Sequence, residues 1–459
     1  MDSLHGWKLR AAWLAALAAA TALLCAVAIV NGGPLLYPDT IAYVIDGERL
    51  AHLTAPYAVR PIYYGILLWP FDQAGAYRLA VAAQALVVAH LLAVTLRATG
   101  ARPAPLSFVA IVLVLVLLTP VAWPVAHLLP DIFVAVLILA LFLLGFCHEA
   151  LARWEQAYLF LLATGSATLH LTMVPVGAAL AALAAAAWLA GHRRRVHPVL
   201  MLLPLLLAVA GSLAVSDAIF GRLTLTPNSP PAFLARLLAD GPAHRYLDAT
   251  CPASGFELCN VRQSLPATED GFLWGMLPSL PVPVGKRIKA EAGAVVIGTI
   301  RTYPMQVAGD MIANAARQLV TFQSETQYAP QELNATARAG VPIARALAGT
   351  VQARGGFEEP KLDPINAVHF AIVILCLPAA LALSIRLLHR RLWRATALIA
   401  TVLAGAIADG AVTGAFGGVF ARYEARVIWL LPFAVITAAL ALRNSRRTAA
   451  RTAEPACAS

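Results

Sequence analysis

Residues 157–190 read AYLFLLATGSATLHLTMVPVGAALAALAAAAWLA, and the basic triplet Arg193-Arg194-Arg195 follows them. As one helix this run would be about 50 Å long, well beyond the ~30 Å hydrocarbon core of a bilayer. A weak polar knot, Thr168-Leu169-His170-Leu171-Thr172, sits inside it. The run therefore divides there into two membrane spans. The polar knot falls outside, and the arginine triplet falls on the cytoplasmic side, where short basic links between apolar blocks belong.

The same reading extends in both directions. Toward the N-terminus it gives spans at about 11–30, 77–98, 105–121 and 131–147. Toward the C-terminus it gives 198–218, 366–386, 395–412 and 427–443. The total is ten crossings with both termini inside. That count puts every basic cluster in the cytoplasm: Lys8 and Arg10; Arg193–Arg195; Arg386, Arg390, Arg391 and Arg394; Arg443, Arg446, Arg447 and Arg451. The block at 11–30 reads as an uncleaved first span, because no clean small-x-small site precedes Asn31. Residues 61–71 are apolar but too short to span, and read as an interfacial or re-entrant piece.

Composition agrees. Of 459 residues, 60% are hydrophobic and 13% charged, and mean hydropathy is +0.73. A soluble domain is nearer half apolar and a quarter charged, so a soluble enzyme and a disordered chain are both excluded. The net charge of +10 resides in the short links and the ends, where it sets topology; it does not predict nucleic-acid binding. The expected fold is an all-α polytopic membrane protein of the bacterial inner membrane. Its parts are an N-terminal bundle (1–220) with a first outer loop (31–60), a periplasmic, mostly helical segment (221–365), C-terminal spans (366–443) and a cytoplasmic basic tail (444–459). The long segment starts with turn chemistry at Thr226-Pro-Asn-Ser-Pro-Pro231. It shows a short amphipathic helix at 232–239 and helical periodicity over 286–322, interrupted by Pro304.

Of six cysteines, Cys25, Cys147 and Cys376 lie in apolar blocks and Cys457 in the tail. Cys251 and Cys259 stand eight residues apart in the polar segment. A periplasmic location suits a disulfide between them, and no neighbouring His/Cys set completes a four-ligand metal site.

Ionisable groups at a membrane boundary are costly and point to function. Four places stand out. Asp39, in Tyr37-Pro-Asp-Thr-Ile-Ala-Tyr43, is both an N-cap for a helix Thr40–Leu53 and a fixed carboxylate on the outer side. Arg60-Pro61-Ile62-Tyr63 is either an interfacial anchor or a phosphate-holding guanidinium. Asp131, after His127-Leu-Leu-Pro130, opens a span at the same outer mouth, and His170 lies nearby in topology. Asp409-Gly410 is followed by Arg422-Tyr423-Glu424-Ala425-Arg426. Arg422 and Arg426 share one helix side at i,i+4. They either bind an anion or pair internally with Glu424 or Asp409. No phosphate-cradling glycine loop and no H-E-x-x-H motif occurs.

In this order the motifs resemble the GT-C superfamily of polytopic glycosyltransferases, which use lipid-phosphate-linked sugars. Asp39-Thr-Ile-Ala-Tyr43 with Arg60-Pro-Ile-Tyr63 resembles the family's first outer loop. Pro130-Asp131-Ile-Phe133 resembles its acidic start to a later span, and Arg422-Tyr423 with Leu430-Leu-Pro432 its Arg-Tyr…Leu-Pro start to a late one. The stretch from Phe233 through Cys251 and Cys259 to Phe272-Leu-Trp274 resembles a loop of bacterial membrane proteins of this general type. Two departures are visible. Pro38 and Thr40 flank Asp39 where a second acid is expected, so a divalent metal lacks a ligand cluster. His170 stands where relatives often carry Arg.

The resemblance implies transfer of a sugar from a polyprenyl-phosphate donor to a glycan, lipid or protein acceptor on the extracytoplasmic side. Asp39 would act as general base, and Asp131 would orient the acceptor. Arg60, Arg422 and Arg426 would neutralise the leaving phosphate, and Tyr63, His170 and Tyr423 would complete the binding site. A lipid or glycan transporter and a non-catalytic assembly partner are the rival readings of the same charges. No inverted repeat supports transport.

Overall fold

The computed structural model describes residues 2–56, 60–225 and 229–453. Cys457, the Thr226-Pro227-Asn228 part of the expected turn and the side chain of Arg451 lie outside the described residues. Within them the chain is helical throughout, and its one β pairing is a single parallel bridge between Leu35 and His127.

Among the described residues, seven helices are long and apolar enough to cross a membrane: Trp7–Leu24, Tyr77–Ala98, Met173–His192, Pro198–Phe220, Glu359–His389, Trp393–Phe416 and Ala421–Arg447. The long run breaks at the polar knot, between Arg153–Leu169 and Met173–Ala187, with His170 extended. The three remaining expected spans form the helices Pro105–Leu118, Ile132–Phe146 and Arg153–Leu169, of 14, 15 and 17 residues. Their shortness has a physical reason in at least one case. Ile132–Phe146 is buried on all sides except at Phe133. An all-round apolar helix belongs inside a bundle, and neighbours rather than lipid set its length. Ile138 meets Gly405 of Trp393–Phe416, and Gly145 lies against Met201 of Pro198–Phe220.

The expected first outer loop, 31–60, supplies the first helix of a helical hairpin whose second helix follows it. Pro38–Ala51 and Tyr63–Gln73 cross with their backbones in contact. A methyl group on Gly47 would fall on the Gly65 carbonyl, and one on Gly65 would fall on the Tyr43 carbonyl. The piece expected at 61–71 is the second helix of this hairpin.

The segment 221–365 is divided between two cores. Leu234, Leu238, Leu247, Phe272, Ile288 and Val295 belong to a small separate cluster. Phe322, Tyr328, Leu333, Ile343, Leu347 and Leu362 join the main core of the bundle. The amphipathic stretch forms Ser229–Ala239, and the periodic stretch forms Val282–Thr302 and Pro304–Val320, broken at Tyr303-Pro304. Cys251 and Cys259 are joined in a disulfide.

Candidate functional site

Local sequence explains how Asp39 is presented. Pro38 opens its helix, and Tyr37, not Asp39, is the cap. The Thr40 hydroxyl accepts the Tyr37 N–H at 3.1 Å and donates to the Leu128 carbonyl at 3.1 Å. With the cap supplied by Thr40, the Asp39 carboxylate is free to serve elsewhere in the first helical turn, where the helix dipole favours negative charge.

The loop before it is held by distant parts of the chain. Leu35 donates to the Ala126 carbonyl at 2.9 Å, and Leu128 donates back to Leu35 at 3.1 Å. The Gln352 carboxamide accepts from the Leu36 N–H at 3.0 Å and donates to the Leu36 carbonyl at 2.7 Å. The buried Asn31 side chain accepts from the Gln352 N–H at 2.8 Å. Gln84 bonds the carbonyls of Val125 and His127 and accepts the Tyr64 hydroxyl at 2.6 Å. The rim carrying Asp39 is thus stitched to the start of Ile132–Phe146 and to the end of the long segment.

Two arginines meet this carboxylate. Arg60 Nη2 lies 3.0 Å from one Asp39 oxygen, and Arg422 Nη2 lies 3.5 Å from the other. Arg422 is also sandwiched by aromatics, with its guanidinium carbon 3.9 Å from the Tyr37 ring centroid and 4.9 Å from that of Tyr423. Trp274, from the long segment, covers Arg60 at 5.5 Å. Burial alone would push the Asp39 carboxyl up, but Arg60 and Arg422 outweigh it and hold the group below the ordinary carboxylate range. Asp39 is therefore ionised at neutral pH. Among the described residues, Nε of Arg60 and Nε of Arg422 are both buried without a partner. A guanidinium has five N–H donors, so this pair retains hydrogen-bonding capacity for an anion.

Arg426 is differently placed. It is fully buried, and its guanidinium is already engaged. Nε and Nη2 bond the two Asp409 oxygens at 3.0 and 2.7 Å, Nη1 bonds Asp131 at 2.9 Å, and Nη2 also reaches the Thr172 hydroxyl at 3.0 Å. Asp131 caps its helix by position, but its carboxylate faces Arg426 instead of the helix N–H groups. Of the two internal pairings left open by sequence, Asp409 holds Arg426, while Arg422 turns outward to Asp39. Glu424, also buried, has one carboxylate oxygen without a partner.

Two cavities adjoin the cluster. One, of about 420 Å³, is lined by Arg60, His170, Thr172 and Tyr423 at one end and by apolar groups such as Pro175, Val412 and Phe416. His170 Nδ1 lies 2.9 Å from the Thr172 hydroxyl, and its ring packs edge-on to Tyr423. The other cavity, of about 30 Å³, lies behind Arg422 between Tyr37, His127, Asp131 and Glu325. It has room for a single water. Burial pushes the Glu325 carboxyl up to about 7, against the pull of Arg422.

The structure thus brings Asp39, Asp131, Arg60, His170, Arg422, Tyr423 and Arg426 together. Tyr63 stays apart and packs on the core; its neighbour Tyr64 is the tyrosine bonded into the scaffold. Sequence reasoning missed three contributors. Tyr37 hydrogen-bonds Gln327 and stacks on Arg422, and Glu325 and Gln327 come from the far end of the long segment. The Tyr37-Pro38-Asp39 neighbourhood gave a signal for the first. Nothing local marks the other two.

Among the described residues no three His, Cys, Asp or Glu side chains converge as a metal site. Asp39 is shared by two arginines and Asp131 is paired with a third, so the carboxylates present do not fit a divalent ion without breaking those pairs. Comparison with protein-family models, with curated proteins and with solved structures gave no match to this chain.

Proposed function

We propose that the chain is a membrane glycosyltransferase that moves a sugar from a polyprenyl-phosphate donor to an envelope acceptor at the outer face of a bacterial inner membrane. In this reading both termini are cytoplasmic and the mouth around Asp39 faces the periplasm. One observation carries the proposal: an ionised carboxylate, Asp39, lies between Arg60 and Arg422, and Arg60 lines a largely apolar cavity. Such a site suits an amphiphile with an anionic head. The isoprenoid would occupy the apolar side, and the phosphate would meet Arg60, which lines that cavity, with Arg422 adding its charge from the other side of Asp39.

The chemistry follows from that arrangement. The acceptor hydroxyl oxygen forms a bond to the sugar's anomeric carbon as the bond from that carbon to the phosphate oxygen breaks. Asp39 takes the hydroxyl proton, and the negative charge remains on the departing polyprenyl phosphate. Arg60 and Arg422 stabilise that charge, and the desolvated surroundings strengthen their effect. Arg426 has no such part, because it is fully buried and its charge is already met by Asp131 and Asp409; its role is to anchor the helix that carries Arg422. No step needs a metal.

A general base typically contributes about 10²–10⁴ in rate. Asp39→Asn is therefore expected to lower transfer at least about 100-fold in a membrane assay with a polyprenyl-phosphate sugar, with the protein still expressed and folded. Undiminished transfer by this variant removes Asp39 from the chemistry. Movement of the labelled lipid across vesicles without sugar transfer would instead identify a transporter.

A further inference from the structure

The helix Pro304–Val320 has its polarity reversed. Its buried positions include Asn314 and Gln318, both essentially inaccessible. Its exposed residues are Pro304, Met305, Ala308, Gly309, Ile312, Ala313, Ala316 and Val320, with Arg317 at the edge of that face; Met305 is 83%, Ile312 70% and Val320 68% exposed. A helix lying in water would show the opposite pattern.

Its neighbour is a membrane span. Gly414 of Trp393–Phe416 lies against the backbone of Asn314 and Ala315, and Gly410 lies against Leu319. As one helix rises the other descends, so the two are antiparallel. With Arg390, Arg391 and Arg394 at the cytoplasmic start of the span, Phe416 marks its outer end. Gly410 then lies about 9 Å back along the axis, and Leu319 and Val320 share that depth.

The chain next turns back without helix or strand over residues 321–327. Extended backbone at membrane depth is tolerated only when protein groups satisfy it, and here side chains do so. Gln318 Nε2 donates to the carbonyls of Thr321, at 3.2 Å, and Phe420, at 2.9 Å, and its Oε1 accepts from the Phe420 N–H at 2.9 Å. The Asn366 carboxamide accepts from the Ser324 N–H at 2.8 Å and donates to the Ser324 carbonyl at 3.1 Å. Phe322 stacks on Phe370 of Glu359–His389, with ring centroids 5.5 Å apart. The return ends with Glu325 beside Arg422 and Gln327 on Tyr37.

We infer that residues 304–327 form a re-entrant element: the Pro304–Val320 helix enters the outer leaflet with its apolar face against lipid acyl chains, and residues 321–327 bring the chain back to the rim of the site. Acyl chains are the occupant because the helix packs along a membrane span, from Gly414 to Gly410, while the face it leaves exposed is apolar at Met305, Ile312 and Val320. The inference needs only the membrane assignment and stands whether or not sugar transfer is the activity. It moves this helix out of the periplasm, where the sequence put the whole of 221–365.

Nitroxide accessibility in liposomes tests it. The full chain carries Cys25→Ser, Cys147→Ser, Cys376→Ser and Cys457→Ser, with the Cys251–Cys259 disulfide kept. Single labels go on Ile312→Cys, Ala316→Cys and Val320→Cys, with Ile407→Cys as the lipid reference and Lys286→Cys as the water reference. The three test labels should collide with oxygen in preference to a water-soluble nickel chelate, with a ratio several-fold above that of Lys286→Cys and close to that of Ile407→Cys. Nickel access like that of Lys286→Cys puts the helix in water and overturns the inference. Shielding from both reagents means a protein covers the face and overturns it equally. The label positions are independent, so loss of folding in one variant leaves the other two to decide.

Discussion

Arg422 and Arg426 are one helical turn apart and chemically identical, yet their surroundings give them different duties. Arg426 is enclosed by Asp131 and Asp409 with no exposed surface. Removing one partner of a buried pair leaves the others uncompensated, at a cost of about 3–5 kcal/mol. Arg426→Gln should therefore lower the thermal unfolding midpoint of detergent-solubilised protein sharply and reduce its yield. Arg422→Gln should cost less, about 2 kcal/mol, because Arg60 still neutralises Asp39 and the main loss is the cation–π contact with Tyr37 and Tyr423. Equal destabilisation by the two substitutions would mean that Arg422 is as structural as Arg426, and would remove the ground for giving it a phosphate.

At the scale of elements, the position of Asp39 depends on a contact that leaves no room for side chains. Gly47 and Gly65 let the two helices of the hairpin touch backbone to backbone. Gly47→Ala forces them apart, and overpacking of this kind costs about 1–3 kcal/mol. Transfer activity should fall more than expression does, since Arg60 at the base of one helix and Asp39 at the top of the other move relative to each other. A variant with normal activity and normal stability would show that the crossing is looser than the backbone contact implies. The seven long spans were legible because apolar blocks of about 20 residues have few alternatives, and Pro130-Asp131 announced the start of Ile132–Phe146 directly. The length of that helix was not legible, since burial by neighbours replaces the bilayer as the constraint. The Pro304–Val320 helix was misleading for a related reason: its periodicity says only that it has two faces, and the Asn314 side faces protein. The partner of each arginine was beyond sequence too, because Asp131 and Asp409 are 278 positions apart and only the packed bundle places both beside Arg426.

Two cores in one chain imply two stabilities, and the disulfide separates them experimentally. The cluster around Leu234, Leu247, Phe272 and Ile288 is small, whereas the bundle core is built around a helix with almost no exposed surface. Small clusters open locally at lower free energy than a global core. The Cys251–Cys259 bond closes a short loop beside the small cluster, at a separation of 8 residues. In the chain-entropy account, a loop of that size stabilises by about 2.5 kcal/mol, equivalent to roughly a 70-fold change in an opening constant. In the Cys251→Ser, Cys259→Ser double variant, amides of Pro242–Thr250 and Val282–Thr302 should exchange with solvent deuterium roughly 70-fold faster. Amides of Ile132–Phe146 should keep their wild-type rates. Because the rim of the candidate site is stitched to the bundle through Gln352 and Asn31, transfer activity measured at low temperature should also persist. Acceleration that spreads into Ile132–Phe146 would mean the two cores unfold as one cooperative unit, and the small cluster would then have to be counted as part of the scaffold that holds Asp39 against its arginines.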